Sequence, residues 1–346
     1  MKTTTTKYGA LTLQMNGQNE DINYHDDDDD DKFHDTNMSL CSDHDDEGYD
    51  SSDDDDDSVS VDDNDNELLL KSQLLSKVSS FTLKYDSDKA YRATELKLLD
   101  FSRPHMRTFH GSWICFLLAW FVWFSMTPLL PYIQQSLEED DENNGANSIT
   151  MDDIWISNMY SMVGTVFLRL ILGPLCDRYG AKHLLTSLVI SCAIPLGLAG
   201  ILIHGKYSLL FVRFWIGCIG GTLVPAQYWI TSHFTRDICG MNMAIVAGWG
   251  ALGGGLAQLI MGTILYPFLL NTTLFDGNVN ITWRVALIFP ATIAIIVALF
   301  FNYYSDDCPL GSYKQVQRAG LMQERSAIDS FRSGVFNFNA WILFIQ

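Results

Sequence analysis

From residue 111 onward the sequence runs through six long apolar stretches, at roughly 111–133, 154–176, 183–203, 207–230, 241–270 and 282–303. Each reaches or exceeds the ~20 residues that an α-helix needs to cross the hydrocarbon of a bilayer. None carries an Asp or Glu in its interior. Backbone N–H and C=O groups cannot be left unpaired in lipid, so the stretches read as six membrane helices. The expected fold is an all-α membrane protein whose body, 111–303, is one six-helix unit.

The loops set the orientation. Arg103 and Arg107 precede the first stretch, Arg178 and Lys182 lie between the second and third, and Arg236 lies between the fourth and fifth. Lys314, Arg318, Arg325 and Arg332 follow the sixth, whereas the first connection is acidic, "LEEDDENN". By the positive-inside rule the N-terminus and a central loop, 304–340, face the cytoplasm. The bilayer of the plasma membrane is the expected location, and a vacuolar or other internal membrane would give the same topology. Two N-x-[ST] triplets, at Asn271 and Asn280, then fall outside and are candidate glycosylation acceptors. A third, at Asn37, falls in the cytoplasmic tail and is set aside. "NAWILFIQ" at 339–346 begins a further apolar segment, so 341–346 is read as the start of a seventh helix.

The net charge of −19 belongs to the tail: the first 67 residues hold 23 Asp or Glu against Lys2, Lys7 and Lys32. Like-charge repulsion and scarce apolar surface predict disorder over 1–80, with 81–110 as a pre-membrane segment. The runs Asp26–Asp31 and Asp53–Asp57 lack the spaced ligands of a calcium loop. "DNELLL", Asp65 to Leu70, places an acid four positions before a leucine pair, as endosomal sorting signals do. Seven scattered cysteines form neither C-x-x-C nor a metal spacing, so no metal, cofactor or disulfide framework is expected. No nucleophile–base pair or phosphate loop points to an enzyme. No basic stripe points to nucleic acid.

Arg169, in "GTVFLRLILGPLCDRYG", reads as the one charge well inside a stretch. Asp177 marks the end eight residues later, which places Arg169 about 12 Å deep at 1.5 Å per residue. A central arginine costs at least ~2.5 kcal/mol on insertion scales, so it is retained for a reason. With no acidic partner in these helices, a forked, permanent cation suits a small oxyanion. A structural arginine donating to carbonyls of a neighbouring helix is the other reading. "GPLCDRYGAK" then offers Gly173 for close helix contact and Asp177 and Arg178 for gate interactions. "AGWGALGGGLAQL" packs Gly248, Gly250, Gly253, Gly254 and Gly255 into eight residues. Such a helix suits a moving, cavity-lining role, with tight static packing as the alternative. Gln227 and Tyr228 could add hydrogen bonds. Trp120 and Phe124, one turn apart, could wall a planar anion or simply pack.

These stretches together resemble the nitrate/nitrite porter family of the major facilitator superfamily, from about Phe81 to the last residue. "RPHMRTFHGSW", "FLRLILGPLCDRYG", "QYW", the glycine-rich run, "WRVALIFP" and "SDDCPLG" carry the likeness. The resemblance implies a twelve-helix transporter of which this is the N-terminal six-helix half. It also implies nitrate or nitrite as substrate, with Arg169 on the anion and a second arginine in the other half. Protons are implied as the coupling ion, and an accessory membrane protein is a possible partner. Ala251 stands where the family usually has an asparagine. The alternative function is a non-transporting regulatory or anion-sensing membrane partner.

Overall fold

The computed structural model describes residues 60–87, 90–141, 149–272 and 277–319, with residues 321, 332, 336 and 338. The aspartate runs, Asn37 and the segment 341–346 lie outside the described residues. Helix α1 (Ser60–Ser76) comes first, followed by two short paired strands, β1 (Tyr85–Asp86) and β2 (Arg92–Ala93).

Six apolar passes follow. The first is α2 (His105–Ser125) and α3 (Leu130–Asp141), joined by a 3-10 turn at Thr127–Leu129. The second is α4 (Met151–Tyr179), and the third is α5 (Ala181–Gly197) with the single turn α6 (Ala199–Leu202). The fourth is α7 (Lys206–Gly217) and α8 (Leu223–His233), with 3-10 helix at Cys218–Thr222 between them. The fifth is α9 (Arg236–Ala257), a π-helical stretch at Gln258–Leu265 and α10 (Tyr266–Leu270). The sixth is α11 (Val279–Ala286) and α12 (Ile288–Tyr304), after which α13 (Tyr313–Arg318) follows.

Among the described residues five passes are long and apolar enough to cross a membrane, and the third is a shorter apolar helix. Its α5 and α6 together cover about 22 residues, or ~33 Å at 1.5 Å per residue, which still matches a hydrocarbon core. The chain is a multi-pass, all-α membrane protein. Two sequence boundaries are corrected. The first helix starts at His105, ahead of 111. Residues Ser60–Ser76, assigned by composition to the disordered tail, form α1. Composition averages over a segment and hides a local apolar stripe. Leu70 and Leu74, one turn apart, lean on Cys308, Leu310, Tyr313 and Val316, and Leu74 is only 2% exposed.

Three of the mid-pass breaks have a chemical cause. Pro128 and Pro131 lack the N–H that an α-helix would need in the first pass. Pro225 cannot donate to the carbonyl of Gly221, and the adjacent Gly220–Gly221 pair tolerates the tighter 3-10 winding. Pro267 likewise leaves the carbonyl of Thr263 without its usual donor, and the π stretch lies just ahead of it. Packing then pairs α2 with α9, α4 with α7 and α5 with α12. The main core runs through Val122, Val189, Ile216 and Ala294. The outer face stays apolar, with Met159, Val166, Leu170 and Ile296 exposed, as a surface in contact with lipid or another apolar face requires.

Candidate anion-binding site

Arg169 lies in the second pass, and its side chain is held by the fourth. Its Nε–H and Nη2–H both donate to the carbonyl of Gly220, at 3.2 and 3.1 Å. That carbonyl belongs to the 3-10 stretch Cys218–Thr222. Thr165, one turn earlier in α4, does the same for the preceding turn: its hydroxyl donates to the carbonyl of Gly217 at 2.6 Å. Arg169 thus makes the neighbouring-helix carbonyl contact that its structural reading expects. The neighbouring-helix carbonyl is its partner, yet the residue stays exposed in the bundle. One edge of the guanidinium is occupied, and among the described residues no hydrogen bond engages Nη1 at the end-on fork.

An aromatic layer connects this anchor to the glycine-rich helix. Trp120 and Phe124 stack with centroids 5.6 Å apart, and Trp123 sits 5.5 Å from Trp120. Trp123 donates through Nε1 to the hydroxyl of Ser161 at 2.7 Å and borders Gly220. On the other side, a Cβ at Gly254 would stand 3.3 Å from both Phe124 and Trp120. Gly250 and Gly253 leave no room for a Cβ at all, because Phe116 and the carbonyl of Leu117 occupy the space. Gly248 and Gly255 face open space instead. The glycine run is thus divided: three glycines seat α9 on α2, and two leave its other face bare.

The gating residues fall at the end of the bundle that carries residues 103, 180, 235 and 305. The Tyr313 hydroxyl donates to the Asp177 carbonyl. Tyr228 lies within electrostatic range of Asp177. Gln227 is half-buried, with no side-chain hydrogen bond among the described residues. Arg178 is exposed, its guanidinium 5.4 Å from the ring of Tyr179. A Cβ on Gly173 would meet nothing within 4 Å, so the close helix contact expected of it is not made at that point.

Two residues escaped the sequence reading. Arg213, in "FVRFW" of the fourth stretch, corrects the view that Arg169 is the only charge well inside a pass. It is 3% exposed and donates from Nη2 to Asn158, while its Nε and Nη1 have no partner among the described residues. Its letter was visible; its burial was not. Asp307, in "SDDCPLG", is also 3% exposed. Its two carboxylate oxygens accept the backbone N–H groups of Lys182 (3.2 Å) and Tyr313 (3.3 Å). A Cβ on Gly180 would stand 2.5 Å from its Oδ2, and Gly180 sits at φ +85°. The last glycine of the G-x-x-x-D-R-x-G stretch thus makes room for a carboxylate from beyond the sixth pass. Burial pushes the Asp307 carboxyl above the ordinary carboxylate range, against the pull of His183 and Lys182.

Of the sequon residues, Asn271 is exposed. Asn280 lies in α11 and accepts from Arg284 Nε at 2.7 Å, and the Thr282 of its triplet is fully buried. Among the described residues no His/Cys/Asp/Glu group could hold a metal ion.

Apolar helical passes, with Arg169 anchored on a backbone carbonyl of the neighbouring pass, define a multi-pass helical membrane protein. The chain belongs to the Major Facilitator Superfamily, whose sequence profile matches residues 112–345. It is 31% identical to High-affinity nitrate transporter 2.3 of Oryza sativa subsp. japonica, over 76% of this chain and 48% of that one. It is also 31% identical to High affinity nitrate transporter 2.5 (76% of this chain, 49% of that one) and 2.7 (79% and 55%), both of Arabidopsis thaliana. The chain spans about half the length of the curated relatives it matches. A solved bacterial homolog to the human lysosomal transporter Spinster covers 67% of this chain and 50% of its own, with 17% identity and a TM-score of 0.47.

Proposed function

We propose that this six-pass unit is the N-terminal half of a carrier that moves nitrate or nitrite across the plasma membrane by alternating access. The observation that supports it is the open end-on fork of Arg169, held at mid-depth by a backbone carbonyl. A monovalent oxyanion keeps its charge at any physiological pH, so fixed donors must meet it, and arginine offers two in parallel. The similarity to high-affinity nitrate transporters favours nitrate among such anions. Trp120 and Phe124 wall the site, and the open faces of Gly248 and Gly255 line the approach. The Asp177 clasp closes the cytoplasmic end.

Inward movement of an anion against a negative-inside potential costs about 2.3 kcal/mol per 100 mV. A co-moving cation offsets that cost, and protons fill the role in this reading. Arg169→Lys in the full-length protein keeps the charge and removes the fork. Radiolabelled nitrate binding and uptake should then fall by roughly 10–100-fold, the worth of a hydrogen bond to a charged group. Unchanged affinity and uptake would sink the assignment. Uptake measured with a pH-sensitive dye in the same vesicles tests the proton: nitrate entry without internal acidification would remove it.

A further inference from the structure

We infer that Gly220 and Thr165 are positioning residues for the anion, and that the oxyanion is gripped end-on by the Nη1–Nη2 fork of Arg169. The inference rests on the reading of Arg169 as the anion-binding residue and adds how that residue is aimed.

A guanidinium is planar, so fixing one edge fixes the whole plane. Nε and Nη2 form the side edge, and both donate to a single carbonyl, that of Gly220. The pair of parallel N–H groups left for a ligand is therefore the end-on one. That carbonyl belongs to the 3-10 stretch of the fourth pass. The winding is held from α4 by the Thr165 hydroxyl on the Gly217 carbonyl at 2.6 Å, three residues before Gly220. Thr165 and Arg169 stand one turn apart on one helix, so a single face of α4 both holds the 3-10 stretch and reads its direction.

The two glycines make that approach possible. A Cβ on Gly220 would overlap the Thr165 hydroxyl and stand 2.8 Å from its methyl and 2.9 Å from Trp123. A Cβ on Gly221 would stand 2.7 Å from Leu172. Any side chain at 220 drives the carbonyl away from Arg169, and the guanidinium then turns freely. The ligand class follows. A planar oxyanion with two oxygens in one plane uses both arms of a fixed fork, whereas a spherical halide uses only the charge. Aim therefore sets the preference for nitrate or nitrite over chloride, more than it sets attraction for anions in general.

The test is equilibrium binding of nitrate and of chloride to the purified full-length protein, as wild type and as Thr165→Ser, Thr165→Val and Gly220→Ala. Thr165→Ser keeps the hydroxyl and should preserve both affinities. Thr165→Val and Gly220→Ala should weaken nitrate by roughly tenfold, about one hydrogen bond to a charged group, and change chloride far less. The nitrate-to-chloride ratio is the readout, because a merely structural loss lowers both affinities together. Should Gly220→Ala fail to fold, the Val and Ser pair at 165 decides alone. An unchanged ratio in Thr165→Val, beside a clear nitrate loss in Arg169→Lys, would overturn the positioning role and leave the anion site standing. A nitrate affinity untouched by Arg169→Lys would overturn both.

Discussion

Arg169 and Arg213 are two arginines inside apolar passes with opposite surroundings. Arg169 is exposed and anchored on one edge. Arg213 is enclosed between α4 and α7, with Asn158 as its partner and two nitrogens unpartnered among the described residues. Removing a buried charge from an apolar interface is often neutral or stabilising, by about 1–4 kcal/mol when the volume is kept. Arg213→Met is therefore expected to hold or raise the melting temperature of the detergent-solubilised protein, with nitrate affinity unchanged. A fall of several degrees would show that the unpartnered nitrogens are satisfied by something essential. The sequence revealed Arg169 as a charge deep inside an apolar stretch, eight residues ahead of Asp177. It could not reveal Gly220 as the partner, because a backbone carbonyl 51 residues away has no letter of its own. Arg213 was equally visible as a residue, and only packing shows it to be sealed.

Helices meet here through a few defined points, and substitutions at neighbouring glycines should diverge. A Cβ on Gly253 meets the Leu117 backbone, which cannot move aside. Gly253→Ala should destabilise the α2–α9 pair by about 1–3 kcal/mol, the range for overpacking. Gly255→Ala, two residues on, meets nothing, and should stabilise the isolated helix by roughly 0.5–1 kcal/mol. Thermal unfolding of the two variants side by side checks the contrast, and equal effects would mean the glycine run has no preferred face.

Asp307 gives the second prediction at this scale. Burial raises its carboxyl above the unfolded value, so the folded state binds the proton more tightly than the unfolded one. The stability this group contributes is present below the ordinary carboxylate value and is lost as pH rises through the raised, folded one. Melting temperatures taken from acidic to neutral pH should decline in part for this reason. Asp307→Asn should remove that component of the slope, and an identical slope in the variant would assign it elsewhere. His183, Lys182, Cys176, Cys308 and Tyr313 are the titratable groups that face Asp307. The number and order of the apolar elements were legible from length and hydropathy. Their breaks were legible only in part: Pro128, Pro225 and Pro267 flag them, yet which carbonyl each break frees depends on the facing helix. Helix α1 was missed because its apolar stripe is completed by residues more than 200 positions away.

For the whole molecule, the loop charges and the bundle make one orientation testable. Tyr207, just after the turn into α7, is 83% exposed, and Tyr179 lies at the opposite end, at the close of α4. With the N-terminus cytoplasmic, a cysteine at 207 should react with a membrane-impermeant maleimide added to intact cells. A cysteine at 179 should react only after permeabilisation. The reverse pattern would invert the topology and place the Asp177 clasp outside. Cys115, Cys176, Cys192 and Cys308 are buried and should give little background.

The contact between α1 and α13 also sets an order on biogenesis. Leu74 is made long before Leu310 and Tyr313, its neighbours in the folded protein. About 240 residues separate them, and at roughly 5–20 residues per second the interval is on the order of 10–50 s. Throughout that time the apolar side of α1 waits at the membrane surface while six passes are threaded and packed. A chain that misthreads a single pass brings α13 out on the opposite side. The seating of α1 therefore acts as a receipt for completed insertion, and a chain that misthreads one pass is left with Leu74 uncovered.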